Sequence, residues 1–224
     1  MLNTLSSRAT FYDIIGYLIP GIIALAIIWL YWFVYIDELS AKSLIKILLN
    51  YSILSSLAII SIGFVLGHFV NSISSLILEK IVLKGKFNLA KQWFDRIDDD
   101  CRKELISKIA KEEYNLEPKS LTSFDLRIQM EELMPNSTIT GFSFLSFYGM
   151  SRSLALLSWL SMPPSIYIIV DKYSGDKVIL TTFSTILFFI FVGFCFCYQY
   201  IRFTKYYYDF LCSTLIYSSS IRNK

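Results

Sequence analysis

The stretch ILLNYSILSSLAIISIGFVLGHFVNSISSLIL, residues 47–78, has no charged side chain unless His68 is protonated. As one continuous helix it would reach roughly 48 Å. The hydrocarbon of a bilayer is only about 30 Å thick. The run must therefore tilt, or carry its last turns out of the lipid. Those turns read GHFVNSISS, residues 67–75, and gather small and polar groups where a helix would leave the membrane.

Three more runs lack charge: residues 14–36, 154–170 and 178–201. Each reaches or approaches the ~20 residues that a span requires. The chain is 54% hydrophobic and 17% aromatic, with the excess gathered in these blocks. Soluble domains are closer to 45–50% apolar, by a count that includes glycine. The expected fold is all-α: an integral membrane protein of four transmembrane helices with a helical cytoplasmic insert between the second and third. The first run is longer than a signal-peptide core and has no small-residue cleavage site after it, so it reads as a retained span. The third is short if counted from Leu154. It can begin earlier, within residues 142–150, if Arg152 snorkels or finds a polar partner. The chain then divides into residues 1–79 (two spans), 80–141 (insert), 142–203 (two spans) and 204–224 (juxtamembrane tail).

Orientation follows Lys and Arg close to the spans. Lys42, Lys46, Lys172 and Lys177 lie in two short connections. The opposite side carries Arg8, Lys80, Lys84, Lys86, Arg152, Arg202 and Lys205, with more in the insert and tail. Both termini and the insert are therefore expected in the cytoplasm of a bacterial cell, with the spans in its inner membrane. None of the 4 cysteines would face an oxidising compartment, so structural disulfides are not expected.

Acidic and basic residues nearly balance in the insert, unlike a nucleic-acid surface, and direct nucleic-acid binding is not expected. Leu89, Trp93, Ile97, Cys101, Leu105 and Ile109 recur with helical spacing, and Phe94 and Ile106 widen the stripe. This predicts a helix, or a helix pair broken at Asp98-Asp99-Asp100, ending near Tyr114. Thr122-Ser123-Phe124-Asp125 fits a capping box that opens a short helix before Pro135. So small an insert can hardly hold its own core. Its apolar face, with Leu89, Trp93, Phe94, Ile97, Leu105 and Ile109, must be covered by the spans, by another subunit or by a cytoplasmic protein partner. The tail at 209–217 is apolar enough to lie along the membrane or dock on the insert.

Within the spans, Pro20-Gly21 and Pro163-Pro164 are expected kinks. Gly63 and Gly67 have the small-xxx-small spacing that lets helices approach closely. Ser56, Asn71 and Ser74 extend that ridge into a candidate packing or oligomer seam. Asp13 reads as a carboxylate at a helix N-terminus, or as the ion-pair partner of Arg152. His68, the sole histidine, reads first as a packing residue. The chain has no Walker loop, no G-x-S-x-G elbow, no HExxH and no CxxC. No catalytic residue, cofactor or metal site is expected.

The segment FYDIIGYLIPG (residues 11–21), followed by Gly67-His68 and by Asn71 to Ser75, resembles a pattern in small bacterial four-span proteins encoded near phage-defence genes. Among these it is similar to the membrane-subunit family of the Kiwa anti-phage system. The resemblance covers parts of two helices. It implies a membrane-embedded homo-oligomer that senses phage attack and engages a cytoplasmic effector, and it carries over no catalytic residue. The resulting expectation is a non-enzymatic sensor or scaffold surrounded by membrane lipid. The alternative is a pore that perturbs the membrane potential.

Overall fold

The structure is a computed structural model that describes residues 13–35, 52–82, 100–114, 138–172 and 175–222. These residues form helices and the turns beside them, with no strand among them. α1 spans Ile19–Tyr35 and is preceded by a wider π-helical turn, Ile14–Leu18. α2 spans Ser52–Ser74 and widens into a π segment at Ser75–Val82. α3 (Asp100–Tyr114) belongs to the insert. α4 (Thr138–Leu160) and α5 (Met162–Lys172) are separated at Ser161, and α6 runs unbroken over Asp176–Arg222. The stripe residues Leu89, Trp93, Phe94 and Ile97, and the short helix expected after Thr122, lie outside the described residues.

Among the described residues, four helical stretches are long and apolar enough to cross a membrane: Ile14–Val34, Ser55–Leu78, Ser143–Asp171 and Lys177–Tyr217. Their outer faces carry large exposed apolar side chains such as Leu57, Phe69, Ile179, Phe183, Phe191 and Phe194. Exposed Leu or Phe is ordinary singly, but continuous coverage on several helices is not. The third stretch resolves the choice left open above, since α4 begins well before Arg152 and passes through it.

The helices pack antiparallel in chain order. Gly21 of α1 meets Gly63 and Gly67 of α2, and Tyr17 lies against Gly67. A Cβ on Gly21 would fall 1.6 Å from the Gly63 carbonyl oxygen, and one on Gly67 would fall 1.9 Å from the Tyr17 oxygen. Only glycine lets two backbones come this close. α4 and α6 are zipped by ring pairs whose numbers run in opposite directions: Phe144 with Phe210, Phe147 with Phe203, Tyr148 with Tyr200, Trp159 with Phe194. Each such pair contributes about 0.5–1.5 kcal/mol beyond area burial.

The prolines are accommodated in two ways. Pro20 has no N–H to give Gly16, and the turn before it widens so that the Ile19 N–H bonds Ile14 O. Pro163 and Pro164 fall in the first turn of α5, where missing donors cost least. In an unbroken helix the residue at position 164 would have served the Leu160 carbonyl, and proline has no N–H to do so. The Tyr31 hydroxyl of α1 donates to that oxygen instead, at 2.8 Å. Ser158, Ser161 and Ser165 donate to Ala155, Ser158 and Ser161 carbonyls around the same break. Such local hydroxyls satisfy backbone groups near the break.

At 47 residues, α6 is the longest element among the described residues. It would measure roughly 70 Å, about twice the hydrocarbon thickness. Its C-terminal part runs beside the N-terminal turns of α4, and α3 packs there. Ile106, Ile109 and Ala110 of α3 bury against Tyr207, Leu211, Cys212 and Leu215, with Phe144 and Leu145 of α4 at the edge.

Candidate functional site

Two features at the same end of the bundle stand out. The first is a buried polar cluster around Arg152, which is only 6% exposed although it lies in a helix of spanning length. Helix α4 places it opposite the last turns of α2. Its Nη2 donates to Asn71 Oδ1 at 2.6 Å and to the Asn71 carbonyl at 3.3 Å. Its Nη1 donates to the Tyr148 hydroxyl at 3.3 Å, and the guanidinium carbon is 5.1 Å from the centre of the Tyr148 ring. The i, i+4 spacing of Tyr148 and Arg152 puts ring and cation on one helix face. The Asn71 carbonyl also accepts from Ser74 Oγ at 2.9 Å, and Ser74 Oγ lies 3.5 Å from Ser153 Oγ. Ser74 and Ser153 are fully buried. The Asn71 carbonyl thus takes two side-chain donors in the last turn before α2 widens. A planar five-donor cation suits this arrangement, since several acceptors spread its charge where water is scarce.

The second feature is the seat of α3 on α6. Besides the apolar cluster, Arg102 lies 3.8 Å from the Asp209 carboxylate and donates to the Ser213 hydroxyl. Both ionic side chains are substantially exposed, so the pair contributes at most about 1 kcal/mol and mainly fixes register. Apolar burial dominates, at about 1.5–3 kcal/mol for each large aliphatic side chain.

The residues singled out in the sequence fall as follows. Gly63 and Gly67 are buried against α1 of the same chain, Asn71 and Ser74 join the Arg152 cluster, and Ser56 is exposed. The two glycines are therefore spent inside one subunit. Ile109 is covered by the chain's own α6, and Leu105 remains exposed. Asp13 is half-buried, makes no side-chain cap on the helix it precedes, and lines a groove with Ile14, Leu18, Ile60, Ser61, Phe64 and Val65. The hydrogen bonds described above for Arg152 go to Asn71 and Tyr148, and Asp13 is not among those acceptors. His68 is exposed, stacked on Tyr17 at 3.9 Å and edge-on to Phe64 at 4.8 Å.

Sequence reasoning missed the pairing of Asn71 with Arg152. Its signal was present, because an arginine in an apolar run needs an acceptor and Asn71 is an amide at the matching depth of a neighbouring helix. The role of Tyr31 had no comparable signal.

Among the described residues, no group of three His, Cys, Asp or Glu side chains is placed to hold a metal ion. All four cysteines are free. No family model matches the chain, and neither a curated protein nor a solved structure matches it.

Proposed function

We propose that the chain is a non-enzymatic, multi-pass protein of the bacterial inner membrane whose insert and C-terminal helix form a cytoplasmic platform for a protein partner. The observation that carries this reading is the continuity of α6. One helix belongs to the spanning bundle along part of its length and seats α3 along the rest. A change of tilt or position in the membrane would move the insert with it, because no loop intervenes to absorb the motion. The exposed Leu105 leaves part of the insert's apolar stripe available to a partner. Assembly into a homo-oligomer, and a role in anti-phage defence, rest on the sequence resemblance. An oligomer would have to use a surface other than Gly63 and Gly67.

The pore reading draws less support, because Asn71 and Ser74 of the polar α2 face pack inside the bundle.

A photo-reactive amino acid at Leu105, with one at lipid-facing Phe191 as control, tests the platform in native membranes. The expected result is one defined protein adduct at Leu105 and none at Phe191. Absence of an adduct at Leu105 would count against the reading. Cys101 is exposed on α3 and reports topology through a membrane-impermeant maleimide. It should react in inverted vesicles and not in intact spheroplasts, and the reverse pattern would overturn the cytoplasmic assignment.

A further inference from the structure

We infer that the groove between the π-helical turn Ile14–Leu18 and the middle of α2 binds one phospholipid whose headgroup carries a primary ammonium. This rests on the membrane reading above and names a ligand for a surface that reading leaves unassigned. The groove holds about 490 Å³, within the range of small-molecule sites. Ile14, Leu18, Ile60, Phe64 and Val65 make apolar walls, Ser61 is the one hydroxyl, and Asp13 is the one ionisable side chain among the lining residues. Asp13 precedes the first turn of the first spanning stretch, whereas Leu18 and Ile60 lie deeper along their helices. The groove thus has a charged end near a membrane boundary and an apolar length running inward. That is the polarity of a lipid, with headgroup at Asp13 and an acyl chain along Leu18, Phe64 and Val65.

The sign of the charge selects the headgroup. The Asp13 carboxylate is not used to cap its own helix. The one ionisable group lining the groove is thus acidic, and a carboxylate there favours contact with an ammonium over contact with a headgroup that offers only anionic and hydroxyl groups. A primary ammonium also supplies N–H donors to the carboxylate, and a charge-assisted hydrogen bond of this kind is worth about tenfold in affinity. Exposed Val65 and Ser61 keep the groove open to the bilayer side.

The full chain is reconstituted in vesicles of equal phosphatidylethanolamine and phosphatidylglycerol, extracted in mild detergent, and weighed intact by native mass spectrometry. The expected result is retention of one phosphatidylethanolamine, in about tenfold preference over phosphatidylglycerol. Asp13→Asn should abolish the preference, and Asp13→Glu should keep it. Val65→Trp, an exposed position where folding is not at stake, should fill the groove and remove the bound lipid. Equal retention of both lipids by the unaltered chain, or an unchanged preference in Asp13→Asn, overturns this inference and leaves the membrane reading intact. A chain that carries no lipid of either class overturns this inference alone, whereas recovery of the chain in the aqueous fraction without detergent would overturn the membrane reading beneath it. Cross-linking of Ser61→Cys chains to one another would show that a second copy occupies the groove, and would also overturn it.

Discussion

Replacing Gly67 with alanine should separate the first two helices. The added Cβ would fall 1.9 Å from the Tyr17 oxygen, whereas real Cβ contacts do not come under 3.0 Å, so the backbones must part by about 1 Å. The obstructing atoms are backbone, and no rotamer relieves the clash. A radial gap of that size forfeits a quarter to a half of each dispersion contact along the seam. Overpacking typically costs 1–3 kcal/mol, and a backbone clash belongs at the upper end, about 3 kcal/mol. Alanine returns up to about 1 kcal/mol of helix propensity, leaving a net loss near 2 kcal/mol. For a chain of this size that is roughly 4–8 °C in Tm. Three other glycines calibrate the measurement. Gly21→Ala should cost at least as much, since its Cβ would meet Gly63 O at 1.6 Å. Gly63→Ala should cost little, because its nearest neighbour is the movable Ile22 Cγ1 at 3.1 Å. Gly149→Ala should be neutral or stabilising, with only Asn71 Oδ1 at 3.5 Å. The assay is the melting temperature of the detergent-solubilised chain, read by size-exclusion fluorescence. If Gly67→Ala melts with Gly149→Ala, the close approach of α1 and α2 is wrong.

Tyr31→Phe should destabilise the chain by about 1–3 kcal/mol by stranding the Leu160 carbonyl. The same change in a Pro164→Ala background should cost much less, because the alanine would return the missing N–H, and an additive double-mutant cycle would refute that account. Asn71→Leu should destabilise by about 3 kcal/mol, the cost of removing one partner from a buried charge. Adding Arg152→Met to it should restore much of the loss, and thermal melts of the two single variants and the double decide the matter. Ile106→Ala or Leu211→Ala should release α3 without unfolding the bundle, at about 2–5 kcal/mol of local stability. Amide exchange would then rise over residues 100–114 and stay unchanged in α4, whereas a global rise would refute the separability of the insert.

Much of the helical architecture was legible because uncharged runs of this length and apolarity leave the backbone few ways to satisfy its polar groups. An uncharged run long enough to cross admits one internally satisfied structure, the helix, or a closed barrel that these continuous apolar runs do not fit. The breaks at Pro163-Pro164 and the close glycines follow from the same local chemistry. What the sequence did not disclose is which helix meets which. Gly63 and Gly67 announce that a backbone will come near, yet the identity of that backbone depends on Tyr17 and Gly21 arriving at the same depth. The tail was ambiguous for a related reason. An apolar stripe at 207–215 suits a membrane surface as well as it suits α3, and only the packing of α3 on α6 separates the two.

The Arg152 cluster shows why a charge can persist in such a bundle. An isolated guanidinium at mid-membrane is costly, with estimates from about 3 kcal/mol upward. Here the ring face of Tyr148, the Asn71 amide and one Asn71 backbone carbonyl each take part of its charge. None of these acceptors is ionised, so these contacts spread the positive charge instead of cancelling it as a carboxylate would. The pairing of Asn71 with Arg152 ties α2 to α4 directly. It also explains why α2 and α4 must stay in register. Sliding α2 by a turn would carry the Asn71 amide away from the guanidinium and bring Gly67 and His68, or Ser74 and Ser75, to its place, so the pairing marks one axial position that the apolar surfaces alone would leave loose.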